Sequence, residues 1–127
     1  PYRAVAEVDP RQFLGDDEYP VATARVEIGF QLQTGEPQEY YWFNWIEPER
    51  SLLVGWHQDE DHPDLGQCHF QIDHAGTTVD RRSASFLDEH PLEVFETRLD
   101  QLRTVLPDVR WTDGEPRIPE DGLPTPE

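Results

Sequence analysis

Apolar and polar residues alternate strictly from Thr23 onward: Val26, Ile28, Phe30 and Leu32 interleave with Arg25, Glu27, Gly29, Gln31 and Gln33. A period of two predicts a half-buried β-strand. Thr34, Gly35, Glu36 and Pro37 predict a turn. Glu39 to Ile46 (EYYWFNWI) reads as a second strand, apolar on both faces and rich in β-favouring aromatics. Pro48 makes another turn, and Ser51 to His57 (SLLVGWH) reads as a third strand. A polar loop, Gln58 to Gly66, is longer than a hairpin needs. Gln67 to Asp73 predicts a fourth strand, closed by His74, Ala75 and Gly76, and Thr77 to Asp80 a short fifth.

The period then changes. Leu92, Phe95, Leu99, Leu102 and Leu106 recur at intervals of three and four, which predicts one amphipathic helix. Pro91 stands at its first position, Asp88 or His90 precede it as caps, and Pro107 ends it. Val109 to Thr112 predicts a short extended piece. Short connections require antiparallel neighbours. The expected fold is α+β: an antiparallel β-meander of four to five strands with one C-terminal amphipathic helix on one face. Residues 23–112 form that single domain. Residues 1–22 are an N-terminal segment holding one short strand or helical turn. Residues 113–127, rich in Pro and carboxylates, read as a disordered tail.

Composition changes the picture in one respect. Among 127 residues, 27 are acidic and 10 basic, a formal charge of −17, and every basic residue is Arg. At ordinary ionic strength such charge opposes contact with nucleic acid. A patterned, aromatic-rich chain without Lys instead matches proteins of molar-salt cytoplasm, haloarchaeal ones especially. There the Debye length falls to about 3 Å and repulsion from RNA is screened. The acidity therefore speaks of habitat more than of partner. No apolar run approaches the roughly 20 residues of a membrane span, and no Arg-headed apolar segment opens the sequence, so a cytoplasmic protein is expected. The single cysteine, Cys68, excludes an internal disulfide framework and a four-cysteine zinc site, and reads as a small buried side chain.

Candidate chemistry concentrates in one stretch. His57, His62, His69 and His74 lie within 18 residues, with Asp59, Glu60, Asp61, Asp64 and Asp73 among them. If the third and fourth strands form a hairpin, His57 lies near His69, and His69, Gln71 and Asp73 share a face. A His pair supplies general base and general acid near neutral pH. RNA cleavage through the 2′-hydroxyl needs that pair and a cation for the developing oxyanion. His57 and His69, supported by His62 and Asp59, are the candidates for the first, and Arg81 or Arg82 for the second. No cofactor is required by this scheme. The alternative is a divalent metal on His57, His62 and His69 with Asp59 or Asp61, although the spacing matches no HExxH or CxxC pattern. Plainer readings stand beside both: strand-end histidines as rim residues, His62 before Pro63 as a turn residue, and Arg81 and Arg82 as ion-pair partners. Of the aromatic run, one face is core; Tyr41, Phe43 and Trp45 are the candidates for binding a partner.

The order of these features resembles the TumE family of small toxin-like proteins from toxin–antitoxin pairs. The likeness rests on the aromatic strand EYYWFNWI, then Trp56, Asp59, His62, Pro63 and Leu65, then a strand containing His69, over roughly residues 24–75. The chain departs from the family's pattern in two places. Gln71 stands where the second His of an HxH pair is expected, and the aromatic strand lacks its His. The resemblance implies an antitoxin partner, of helix-turn-helix type, and a ribonuclease-like role. A second hypothesis is a non-catalytic interaction domain that binds a protein through the aromatic strand or a sheet edge. Substrate, partner identity and oligomeric state are not legible at this level.

Overall fold

The computed structural model describes residues 2–31, 40–58, 68–84 and 91–119. The elements are β1 (Tyr2–Val8), α1 (Pro10–Leu14), β2 (Ala24–Gln31), β3 (Tyr40–Glu47), β4 (Leu52–Gln58), β5 (Cys68–His74), β6 (Thr77–Ser83), α2 (Pro91–Asp108), β7 (Arg110–Thr112) and β8 (Glu115–Arg117). Strands β1 to β6 make one antiparallel sheet in sequence order, and β7 and β8 a separate two-stranded hairpin. The fold is the expected α+β meander with one main helix. The expected turn at residues 34–37, the loop acids and the caps Asp88 and His90 lie outside the described residues.

Two expectations at the chain ends are corrected. The N-terminal stretch supplies both a strand and a helical turn, and β1 pairs with β2 along its whole length, so the sheet has six strands. The reason is local. Asp9 caps α1 by accepting from the Arg11 and Gln12 amides at 3.0 and 3.3 Å, Pro10 opens the turn, and Gly15 ends it at φ 66°. That turn lays Phe13 against Trp45, ring centroids 5.5 Å apart. At the other end, the expected disordered tail is ordered at its start. Glu115–Arg117 forms β8 and Ile118 is buried, while Arg82 and Arg117 donate to backbone carbonyls that join this segment to β6.

One sheet face carries the core. Val26, Phe43, Trp45, Val54, Trp56, Phe70 and Ile72 are all buried there, with Leu102, Val105 and Leu106 of α2 over them. Phe43 meets Phe95 edge-on at 5.6 Å. The helix is rotated from the expected stripe: Leu92 is exposed, and the buried line runs through Val94, Arg98, Leu102, Val105 and Leu106, flanked by Phe95 and Leu99. Arg98 is thus a buried cation. Its guanidinium reaches Gln101 Oε1 at 2.9 Å, Gln58 Oε1 at 3.3 Å and Cys68 Sγ at 3.4 Å, and lies 5.4 Å from the centre of the Trp56 ring. A second buried charge closes the opposite end. Glu47 is fully buried and accepts from Trp45 Nε1 at 2.8 Å, Arg50 Nε at 2.8 Å and the Tyr19 hydroxyl.

Candidate functional site

The other sheet face holds the candidate site. Strand register orders its side chains in rows across the sheet. One row is Gly29, Trp42, His57, His69 and Ser83, and the next is Glu27, Asn44, Gly55, Gln71 and Arg81. A third row runs through Arg25, Ile46, Leu53 and Asp73. His57 and His69 are therefore direct cross-strand neighbours, their rings 5.1 Å apart and 81° to one another. His69 is buried and His57 half-buried.

Each imidazole is held by an amide that is itself held by a carboxylate. On one side His57 Nε2 meets Asn44 Oδ1 at 2.8 Å, and Asn44 Nδ2 donates to Glu27 Oε1 at 3.4 Å. On the other, His69 Nε2 meets Gln71 Oε1 at 2.8 Å, and Gln71 Nε2 donates to both Asp73 oxygens at 3.0 and 3.1 Å. The chemistry assigns the protons. An ionised carboxylate only accepts, so each amide must turn its NH₂ toward it and its oxygen toward the ring. With the amide oxygens as acceptors, both rings carry hydrogen at Nε2. The first relay runs across strands from β4 to β2, whereas the second runs along β5 alone.

The network continues to both edges. Arg3 Nε donates to Glu27 Oε2 at 2.7 Å, and Thr78 Oγ1 to Asp73 Oδ1 at 2.7 Å. Arg81 Nη2 lies 3.4 Å from Thr78 Oγ1. Polar side chains thus link all six strands. Two glycines make the room. A Cβ on Gly55 would sit 2.1 Å from Asn44 Oδ1, and one on Gly29 1.9 Å from Trp42 Cζ2. The Trp42 ring therefore lies flat across Gly29, in the same row as the histidine pair.

The expected site residues divide accordingly. His57 and His69 come together. Arg81 shares their face, opposite Gln71, and is exposed. Arg82 points to the core face, where it binds Asp80 at 2.9 Å and the carbonyls of Ile118 and Pro119, so it is a structural clamp and not an anion donor beside the histidines. Asp59 and His62 lie outside the described residues. Tyr41, Phe43 and Trp45 are 4%, 1% and 0% exposed, which corrects their assignment as a partner surface. A strand apolar on both faces gives no parity signal, and the covered face is the odd-numbered one. Asn44 and Glu27 escaped the sequence reading, although one Asn inside an aromatic strand was a signal. Among the described residues no group of three His, Cys, Asp or Glu side chains is placed to hold a metal ion, and no helix is long and apolar enough to cross a membrane. Compared with protein-family models, curated proteins and solved structures, the chain matches none of them.

Proposed function

We propose that this chain is a toxin-like RNA-acting enzyme that cleaves through the ribose 2′-hydroxyl, with His57 and His69 as its acid/base pair and an antitoxin as its partner. The observation that carries the chemistry is the facing pair of imidazoles, each fixed in one tautomer by its own carboxylate–amide relay. In the reaction one neutral ring takes the 2′-hydroxyl proton, and the freed oxygen attacks phosphorus. The other ring, protonated, gives its proton to the departing 5′-oxygen, leaving a 2′,3′-cyclic phosphate. Arg81 offsets charge on the phosphoryl oxygens, and the Trp42 face stacks a base. The antitoxin and the toxin-like class rest on the family resemblance alone. Adaptation to molar salt, which the charge of −17 supports, lets so acidic a surface meet RNA.

A second reading is favoured by the burial of His69 and the exposure of β1 from Arg3 to Glu7. In it the polar seam is structural and the chain is a non-catalytic domain that binds protein through a sheet edge. End-labelled RNA, incubated with the purified chain in about 2 M KCl with and without EDTA, separates the two. The enzyme reading expects cleavage that survives EDTA, leaves cyclic phosphate ends and is lost in both His57→Ala and His69→Ala. A folded wild-type chain that leaves RNA intact would overturn it, and cleavage abolished by EDTA would replace the His pair with a metal.

A further inference from the structure

The two edges of the main sheet are treated differently by the fold. Near β6, Arg82 and Arg117 tie the C-terminal segment to the strand through Ile118, Pro119 and Val79 carbonyls. Among the described residues β1, the other edge, pairs only with β2, and every residue from Arg3 to Glu7 is exposed. Natural proteins blunt such an edge with proline, a bulge or charged side chains. Here the strand has neither an internal proline nor a break in register with β2. Its two charges, Arg3 and Glu7, are opposite in sign and equidistant from Val5.

That symmetry selects an occupant. We propose that β1 pairs antiparallel with β1 of a second copy of this chain, about a two-fold axis at Val5. In this register Val5 faces its own counterpart, Ala4 faces Ala6, and each Arg3 faces the Glu7 of the other copy. Opposite charges directly across an antiparallel pair are favourable, and like charges are not. Any other in-plane register with the same strand loses both charge pairs. The groups are poised for it: Glu7 makes no ion pair or hydrogen bond with the described residues, and Arg3, already set by Glu27, keeps 61% of its side chain exposed. Among the described residues Val5 is one of the few large apolar side chains left open, at 47% exposure. The axis stands perpendicular to the sheet, so both copies turn their histidine faces to the same side of one continuous sheet. The proposal concerns β1 alone and holds whether or not His57 and His69 cleave RNA.

The test is the mass of the full chain in about 2 M KCl, where repulsion between two copies of charge −17 is screened. Light scattering over a concentration series is expected to rise from the 14.8 kDa monomer to twice that value. Val5→Lys, which sets two ammonium groups face to face, is expected to abolish the rise while circular dichroism is unchanged. Mild oxidation supplies an independent readout. Opposed Cα atoms lie about 4.5 to 5.5 Å apart, within disulfide reach, so Val5→Cys should crosslink to a dimer. Ala4→Cys and Ala6→Cys alone should not, because their thiols are offset diagonally. The native Cys68 is buried and does not compete. A monomer at every concentration overturns the proposal. So does a dimer unaffected by Val5→Lys, or one that Ala4→Cys crosslinks as fast as Val5→Cys.

Discussion

The amide of Asn44 occupies the space that a side chain at Gly55 would need. An added Cβ would lie 2.1 Å from Asn44 Oδ1 and 2.8 Å from the Phe43 carbonyl oxygen. Because the same Oδ1 receives His57 Nε2, the glycine sets the tautomer of the histidine two residues after it. Gly55→Ala is expected to displace the amide and cost about 1 to 3 kcal/mol by overpacking, read by urea denaturation. Nitrogen NMR of the rings should show His57 released into a mixture of tautomers while His69 is unchanged. Equal disturbance of both rings would mean that the two relays are not independent.

The seam can be cut on its other side at Gln71. Gln71→Ala leaves the Nε2–H of buried His69 and the Asp73 carboxylate without their shared partner. A loss of about 1 to 3 kcal/mol is expected for a buried group left unmatched. Gln71→Leu, similar in volume, should lose as much. Full stability in the leucine variant would show that shape, and not the hydrogen bonds, matters at this position.

Tyr19 should resist ionisation. Burial, and after it the neighbouring Glu47 carboxylate, raise its hydroxyl well above the ordinary tyrosine range, with Arg50 pulling more weakly the other way. In the unfolded chain the same hydroxyl ionises near pH 10, whereas the folded state holds it neutral. Its contribution is therefore complete below about pH 10 and is lost as pH rises beyond. Denaturation followed from about pH 8 to 11 should show that decline, and Tyr19→Phe should flatten it. An unchanged slope in the phenylalanine variant would assign the decline to other groups.

Glu47 is the test of the buried charge itself. It takes hydrogen bonds from Tyr19, Trp45 and Arg50 and forms an ion pair with Arg50 at 2.7 Å. Glu47→Ala leaves Arg50 uncompensated beside the core, and a loss of about 3 to 5 kcal/mol is expected. Thermal melts of Glu47→Ala, Arg50→Ala and the double variant measure the coupling. Additive losses would mean that the pair does not act as a unit.

Salt should stabilise the folded chain. With −17 formal charges on one small domain, compaction works against self-repulsion. Raising ionic strength from about 0.1 to 1 M shortens the Debye length from about 10 to 3 Å. The melting temperature is expected to climb steeply with KCl over that range. A flat or falling curve would remove the reading of the composition as adaptation to molar salt.

Strand and helix positions were legible because periodicity is a local signal. Alternation around Val26 to Leu32 located β2, and the hairpin logic that put His57 beside His69 needed only antiparallel pairing of consecutive strands. The parity argument that placed His69, Gln71 and Asp73 together holds for the same reason. The aromatic strand was different. With apolar side chains at successive positions, nothing local says whether Tyr41, Phe43 and Trp45 or their even-numbered neighbours meet the helix. Arg98 was hidden by its type: a cation inside an apolar stripe reads as surface until the groups that receive it, Gln58 and Cys68, are brought to it from strands far along the chain.

By itself, then, the sequence determined the meander, the helix, the charge and the nearness of two histidines, since each follows from neighbours in the chain or from composition. Tertiary structure alone decided which face of β3 is core, that residues 2 to 8 complete the sheet, and that Asn44 and Glu27 hold His57. Those outcomes depend on register between strands and on the space two glycines leave open. Both are set by how separate segments pack, and no local pattern encodes them.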